Sequence, residues 1–190
     1  RFHFPKDYDK NQAAREASLQ RAVRRVIDET CKGVEYLENV KMRANGQVLS
    51  DIDLVALEES TGTMVFLQLK HQELYGAEIH SKTIRNDRLK KQAKDWMRAV
   101  EIWVSDSGIE GVVKALQLPK SWAQNARIIH VVISRHYAYA LRDIVEGERS
   151  AFANWPQFFN AAQLAREKYQ LPTLQDLLSG LQETQKKAKK

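Results

Sequence analysis

The chain has one cysteine, Cys31, in 190 residues. A lone cysteine cannot form an internal disulfide, and its position where the first helical pattern ends predicts a buried, reduced thiol of the kind cytoplasmic proteins keep. No uninterrupted apolar run approaches the roughly 20 residues that a membrane-spanning helix needs, and no signal peptide is visible. A membrane is therefore not an expected partner, and a cytoplasmic location is. Cys/His spacing for zinc is absent, as are a Gly-rich phosphate loop and a nucleophile elbow. These absences exclude the zinc-finger, P-loop and serine-hydrolase readings. There is no internal repeat. The first residue is Arg rather than Met, from which a fragment of a longer protein, or a processed or trimmed chain, is expected.

What the chain does have is length enough for one domain with a sizeable core, expected over 1–180 with a basic, disordered tail over 181–190. The formal net charge is +6 and the pI about 9.4, which favours a polyanionic partner. Lys186, Lys187, Lys189 and Lys190 in the tail supply four of those charges.

Residues 1–9 read as a lead-in, with Asp9 or Asn11 as N-cap. A helix is predicted over 10–30: Ala13, Glu16, Leu19, Ala22/Val23 and Val26/Ile27 form one stripe, and Arg15, Arg21, Arg24 and Arg25 cover the rest. Glu16 is an acid in line with that apolar stripe, either at its solvated end or turned to a site. Lys32-Gly33 ends the helix. Val34–Met42 reads as a strand, followed by Asn45-Gly46, a strong turn signal. Two more strands follow, Ile52–Leu57 and Thr63–Leu69, joined by a polar turn containing Gly62. His71 to Lys82 reads as a loop in which His71 and His80 are solvated. A second long helix is predicted over 83–103, with Leu89, Ala93, Trp96, Val100 and Trp103 buried and Lys90, Lys91, Lys94 and Arg98 opposite. Asp106–Leu118 is a short helix or loop. Arg127–Ser134 is the clearest buried strand, paired in parallel at the sheet centre, with His130 a satisfied core residue. Tyr137–Val145 looks helical, Trp155 begins a short element, and 173–185 forms a terminal helix.

The stretch from Asp51 to Lys70 organises the rest. Side chains alternate along a strand, so Asp51, Asp53, Val55 and Leu57 are expected on one face, and Met64, Phe66, Gln68 and Lys70 on one face of the next strand. Antiparallel pairing then brings Asp53 to Gln68 and Lys70. A carboxylate, an amide and an ammonium at the rim of an apolar face form either a buried ion pair helped by an amide or a site. A buried pair is a weak device for stability.

Asp-Ile-Asp on a strand, a hairpin, then Gln68-Leu69-Lys70 resembles the core of the PD-(D/E)XK nucleases. Gln68 stands where an Asp or Glu is usual, which is similar to the Gln-x-Lys variant of Mrr-like restriction enzymes, in a layout that resembles nuclease-related (NERD-type) domains. The resemblance covers residues 10–135 in order of elements and is specific over Asp51–Lys70. Gln92-Ala-Lys-Asp-Trp96 resembles the Gln-x-x-x-Tyr motif of some of these nucleases, with Trp for Tyr.

The resemblance implies an α/β restriction-endonuclease-like fold, a mixed β-sheet flanked by α-helices, and a Mg²⁺-dependent nuclease, with Mn²⁺ as a substitute ion. Asp53 is then the principal metal ligand, Gln68 and the Leu69 carbonyl complete the protein's share, and Glu16 adds a carboxylate, with Glu29 its weaker competitor. Asp51 is a secondary candidate, and Lys70 is the catalytic cation. Arg85, Arg88, Lys91 and Gln92 are the expected nucleic-acid contacts on duplex DNA. The expected reaction is endonucleolytic hydrolysis in a defence, restriction or repair system. The alternatives are a nucleic-acid-binding module of the same fold that does not cut, and an interaction domain of a larger assembly. Partner domains, other subunits or a homodimer are compatible with each.

Overall fold

The computed structural model describes residues 5–71, 79–136 and 149–187. Helix α1 (Pro5–Thr30) leads into three antiparallel strands, β1 (Val34–Ala44), β2 (Gln47–Glu58) and β3 (Thr63–Lys70). Helix α2 (Ile79–Ala115) and the single turn α3 (Trp122–Asn125) follow. Next come β4 (Arg127–Ser134), β5 (Ser150–Asn154), α4 (Trp155–Lys168) and α5 (Leu174–Lys187). The five strands form one mixed sheet in the order β1-β2-β3-β4-β5, with β4 parallel to β3 and β5 parallel to β4. The four strands expected to be neighbours are neighbours, and β4 has the predicted bounds and direction.

Helices cover both faces because the strands are apolar on both. One layer joins Leu19, Val23 and Ile27 of α1 and Phe158 and Leu177 of α4 and α5 to Leu54, Ala56, Val65, Leu67 and Val131. The other joins Leu89, Trp96, Val100 and Trp103 of α2 to Ile52, Val55, Met64, Phe66 and Val132. Phe66 and Trp103 lie 5.8 Å apart between ring centroids, and both are fully buried. Burying each such side chain stabilises the fold by about 1.5–3 kcal/mol.

Several boundaries differ from the sequence expectation. Helix α1 starts at Pro5, so Asp9 and Asn11 lie inside it rather than capping it; proline's fixed φ suits a first helical position. Gly33, at φ 70°, follows its end as expected. Asn45 (φ 50°) and Gly46 (φ 76°) make the β1–β2 turn left-handed at both central residues, as a two-residue hairpin requires. That turn lets β2 begin at Gln47, five residues before the predicted start. Helix α2 begins before Thr83 and runs past Trp103 to Ala115, through the segment read as a short helix or loop. Its one interruption is Gly108 (φ 63°, ψ 171°), a kink of the kind glycine permits.

Strand β5 was not expected. Its five residues, Ser150–Asn154, are too short to show a period, and Asn154 ends it by capping α4 through a reciprocal box with Gln157. Helix α5 continues to Lys187, so the segment from 181 extends a helix rather than starting a tail. The helix expected over Tyr137–Val145 lies outside the described residues, as does the tail beyond Lys187.

Cys31 is buried, and burial, aided by the charges of Glu58 and Asp176, pushes its thiol up to about 12. It is an inert core thiol.

Gly62 closes the hairpin at φ 65° and receives the Arg127 N–H at its carbonyl, 2.8 Å. A Cβ there would meet the Asn125 carbonyl oxygen at 2.6 Å. Gly62→Ala is expected to destabilise the fold by about 2 kcal/mol, from the left-handed backbone and the clash together. A urea melt with an unshifted midpoint would show that the Asn125 segment yields without cost.

Candidate active site

The register of β2 with β3 sets Leu54 against Leu67 and so brings Asp53 level with Gln68, one step beyond the last paired residues. There the ladder changes partner. Asp53 Oδ2 accepts the Leu69 main-chain N–H (2.6 Å) and the Gln68 side-chain N–H. A carboxylate thus stands where a strand carbonyl would otherwise be.

Strict alternation does not explain this placement. Val55 and Leu57 enter the α2 layer and Leu54 and Ala56 the α1 layer, yet Ile52 is also in the α2 layer. The alternation therefore slips by one at Asp53. It slips at the same level on β1, where Leu37 and Val40 share the α2 layer. Asn39 between them is left-handed, φ 54°, and falls opposite Asp53 between the pairs Glu38↔Leu54 and Val40↔Ile52. Asparagine tolerates that backbone better than most residues. The expectation that Asp51 and Asp53 share the face of Val55 and Leu57 is thus corrected. Asp51 lies opposite Ile52 in the alternation and is exposed, while Asp53 turns toward β3.

Two residues that the sequence reading did not assign to the site hold this kink from either side. Gln20 of α1 donates through Nε2 to the Asp53 carbonyl (3.1 Å), and the Trp96 indole of α2 donates to the Asp51 carbonyl (2.8 Å). The Trp96 indole does what a tyrosine hydroxyl could do from the same helix face, namely anchor the strand that carries the acid. Gln20 follows Glu16 by one helical turn, a spacing that marks it as facing the same way.

Asp53 is pushed up to about 6, chiefly because it is desolvated. The Leu69 N–H and the Lys70 charge pull it down, whereas Asp51 and Glu16 push it up further. The predicted residues Gln68, Lys70 and Glu16, with Asp51 and the Leu69 main chain, are therefore each within hydrogen-bond or electrostatic reach of Asp53. Glu16 sits at the exposed end of the α1 stripe, so its two readings are compatible. Glu29 is turned away, bound to Arg25 at 2.8 Å and 3.9 Å from Arg166.

Gln68 is buried and offers Asp53 its N–H rather than its oxygen. In a strand the N–H and C=O of one residue point to the same neighbour, so the Leu69 carbonyl is directed to the β2 side along with its N–H. Among the described residues no three His, Cys, Asp or Glu side chains lie close enough to enclose a metal ion. Arg88, Lys91 and Gln92 are exposed on α2, one to two turns before Trp96. The side chains of Arg85 and His80 lie outside the described residues.

His130 is buried as expected, but it is not satisfied: its Nε2 has no hydrogen-bond partner among the described residues. The ring stands edge-on to Trp96 at 6.4 Å, and burial, with repulsion from Arg149, lowers it to about 4. A histidine depressed on folding binds fewer protons in the native than in the unfolded chain. Its contribution is complete above about 6.5 and is lost as pH falls toward 4. Asp53 has the opposite slope over an overlapping range, so the effect is best read in an Asp53→Asn background. There, stability is expected to rise from pH 4 to 6.5, and adding His130→Leu should flatten that rise in denaturant melts.

No helix among the described residues is long and apolar enough to cross a membrane. No family model, no curated protein and no solved structure matches the chain.

Proposed function

We propose that this protein is a metal-dependent nuclease of the PD-(D/E)XK type, with a restriction-endonuclease-like fold, acting as an endonuclease on duplex DNA. The observation that carries the reading is the convergence of Asp53, Gln68 and Lys70 beside Glu16 and Asp51, with the Asp53 carboxyl pushed up to about 6 by desolvation and like charge. An acid held against its own ionisation in this way is a recurrent feature of functional sites. The order helix, three antiparallel strands, helix, parallel strand is the order of elements on which the family resemblance rests.

The donor set suits a divalent cation. Asp51 and Glu16 each push the Asp53 carboxyl up, and a cation beside Asp53 would relieve that repulsion. Only Asp53 is positioned as a principal ligand, so Gln68 Oε1 (after its amide turns over), the Leu69 carbonyl, Glu16 and water would complete the shell. Mg²⁺ keeps several waters and accepts such a sparse oxygen site, and Mn²⁺ has similar demands. When bound, the cation supplies Lewis acidity and makes a nearby water more acidic.

The protein's own groups do the remaining work. Lys70 balances the charge that builds on the phosphoryl oxygens, as fixed cations do in such sites. Gln20 and Trp96 hold the main chain on either side of Asp53 and so keep the acid in place. Arg88 and Lys91, with Arg85, bind backbone phosphates, which position a duplex without reading its sequence.

A plasmid-nicking assay with and without Mg²⁺ or Mn²⁺ tests the reading, and nicking that needs the metal is expected. Absence of cleavage on any DNA or RNA form with either ion would leave a nucleic-acid-binding module in its place. Reversing Arg85, Arg88 and Lys91 to Glu is expected to weaken duplex binding and to lower the salt slope by about 0.9 per lost phosphate contact. Unchanged binding would move the DNA surface away from α2.

A further inference from the structure

Strands β1 and β2 outrun the rest of the sheet. The β2–β3 ladder stops at Leu54↔Leu67, and in the same register β3 ends at Lys70, level with Asp51. The β1–β2 ladder goes on through Lys41↔Asp51, Met42↔Ser50, Arg43↔Val48 and Ala44↔Gln47 to the turn at Asn45-Gly46. Among the described residues, the hairpin beyond Asp51 therefore pairs only with itself. From Asp51 to Gly46 the strand rise of about 3.3 Å per residue carries the tip roughly 16 Å past the end of β3.

The two sides of this ribbon differ. One is packed: Met42 and Ala44 are buried, and Met42, Val40 and Leu49 join the α2 layer. Leu49 is the extra residue of a bulge, for Met42 pairs with Ser50 and Arg43 with Val48. Bulges of this kind bend a strand and re-aim its side chains. The Trp96 indole ties the base of the ribbon to α2 through the Asp51 carbonyl. The other side and the tip are exposed: Lys41 and Arg43 on β1, then Asn45, Gly46, Gln47 and Val48. Asp51 stands level with Lys41 and offsets its charge, so the excess positive charge of the exposed side is that of Arg43. Val48, the cross-strand partner of Arg43, is 50% exposed. A guanidinium, two amides and an aliphatic side chain on a rigid support are the groups that meet base edges and thymine methyls.

We propose that the hairpin tip, from Arg43 to Val48, enters the major groove of duplex DNA and orients the duplex on the site. The inference rests on the nuclease reading for the phosphate at Asp53, but not for the groove contact itself. A tip two strands wide, with its strands about 4.8 Å apart and side chains on each, suits the major groove at about 12 Å and is too broad for the minor groove at about 6 Å. Arg43 donates to acceptors on the base edges, Asn45 and Gln47 bond base edges beside it, and Val48 packs on base methyls. The ribbon is continuous with the strand that carries Asp53, so seating the tip fixes the angle at which the duplex crosses the acid. The cations on α2 hold the backbone.

The test uses the full chain without divalent metal, a duplex oligonucleotide, and one of its single strands for comparison. Arg43→Gln with Val48→Ser is expected to weaken duplex binding by about tenfold and single-strand binding by a smaller factor, because a single strand offers no groove. A dye on Val48→Cys gives a second readout, since Cys31 is a buried, inert thiol and the thiol at the tip is the one that labels. Its emission should shift on duplex addition and follow the binding curve. If the double variant melts at a lower temperature than wild type, this readout decides the matter. Equal losses on duplex and single strand, or a dye that stays silent while the duplex binds, overturn the groove contact. Wild type that cuts DNA beside a double variant with unchanged duplex affinity also overturns it, and leaves the nuclease reading standing. Wild type that never cuts, yet shows the duplex-selective loss and the dye shift, removes the nuclease reading and keeps the hairpin contact.

Discussion

Asp53→Asn is expected to lower DNA cleavage roughly a thousandfold or more, which is about 4 kcal/mol of transition-state stabilisation at 1.36 kcal/mol per decade. Duplex binding without metal should be unchanged or tighter. The substitution is nearly isosteric, and the asparagine oxygen can still accept the Leu69 N–H that Asp53 accepts at 2.6 Å. What is lost is the negative charge that a cation would neutralise. In the proposed nuclease that charge would also repel phosphate, whereas arginine and lysine would hold the DNA.

The same variant separates a catalytic from a merely structural Asp53. A carboxyl whose pKa rises on folding, here from 3.8 to about 6, adds stability that is complete below the unfolded value and lost as pH rises through the folded one. At pH 7 without metal the charged Asp53 therefore burdens the fold, and Asp53→Asn should melt at the same temperature as wild type or higher. A structural anchor would give the reverse, a clear loss of stability. Lys70→Ala should also abolish cutting while metal binding, followed by calorimetry, stays close to wild type, because an ammonium is not a ligand. Cleavage by Asp53→Asn at the wild-type rate would remove Asp53 from the chemistry.

The second large effect concerns a different acid. Glu58, at the end of β2, is 2% exposed. Its carboxylate accepts the Leu174 main-chain N–H at 3.2 and 3.3 Å and the Thr61 hydroxyl at 2.5 Å. Leu174 is the first residue of α5, so a side chain 116 positions earlier caps that helix and ties it to the sheet. Hydrogen bonds to a charged group contribute about 1.5–3 kcal/mol each, and a negative charge also suits a helix N-terminus. Glu58→Ala is expected to cost about 3 kcal/mol of stability and to loosen α5 first. Hydrogen exchange should show this as early loss of protection over 174–187. Thr61→Val removes only one of the partners and should cost less. Equal protection of α5 in wild type and Glu58→Ala would mean that Thr173 and Asp176, which bond each other at the same helix start, suffice as its cap.

Residues 10–135 were largely legible because their signals are local. The amphipathic stripe of α1, Asn45-Gly46 at the hairpin, the alternation of β2 and β3 and the apolar run of β4 each act within a few residues. Together they determined which strands neighbour one another, and hence that Asp53 would come level with Gln68. The sequence by itself also determined the chemistry on offer there: an acid, an amide and an ammonium in fixed order. Only the tertiary structure decided how these groups are held. The slip of alternation at Asp53 lies level with the left-handed Asn39 on another strand, and the two anchors, Gln20 and Trp96, arrive from helices on opposite faces of the sheet. Neither can be seen from the spacing within one strand. Strand β5 and the Glu58 cap of α5 were hidden for the same reason: five residues carry too little pattern, and a cap 116 positions away leaves no local trace. The raised Asp53 carboxyl follows likewise from desolvation and from charges brought in by α1 and β3, quantities that exist only once the layers have packed.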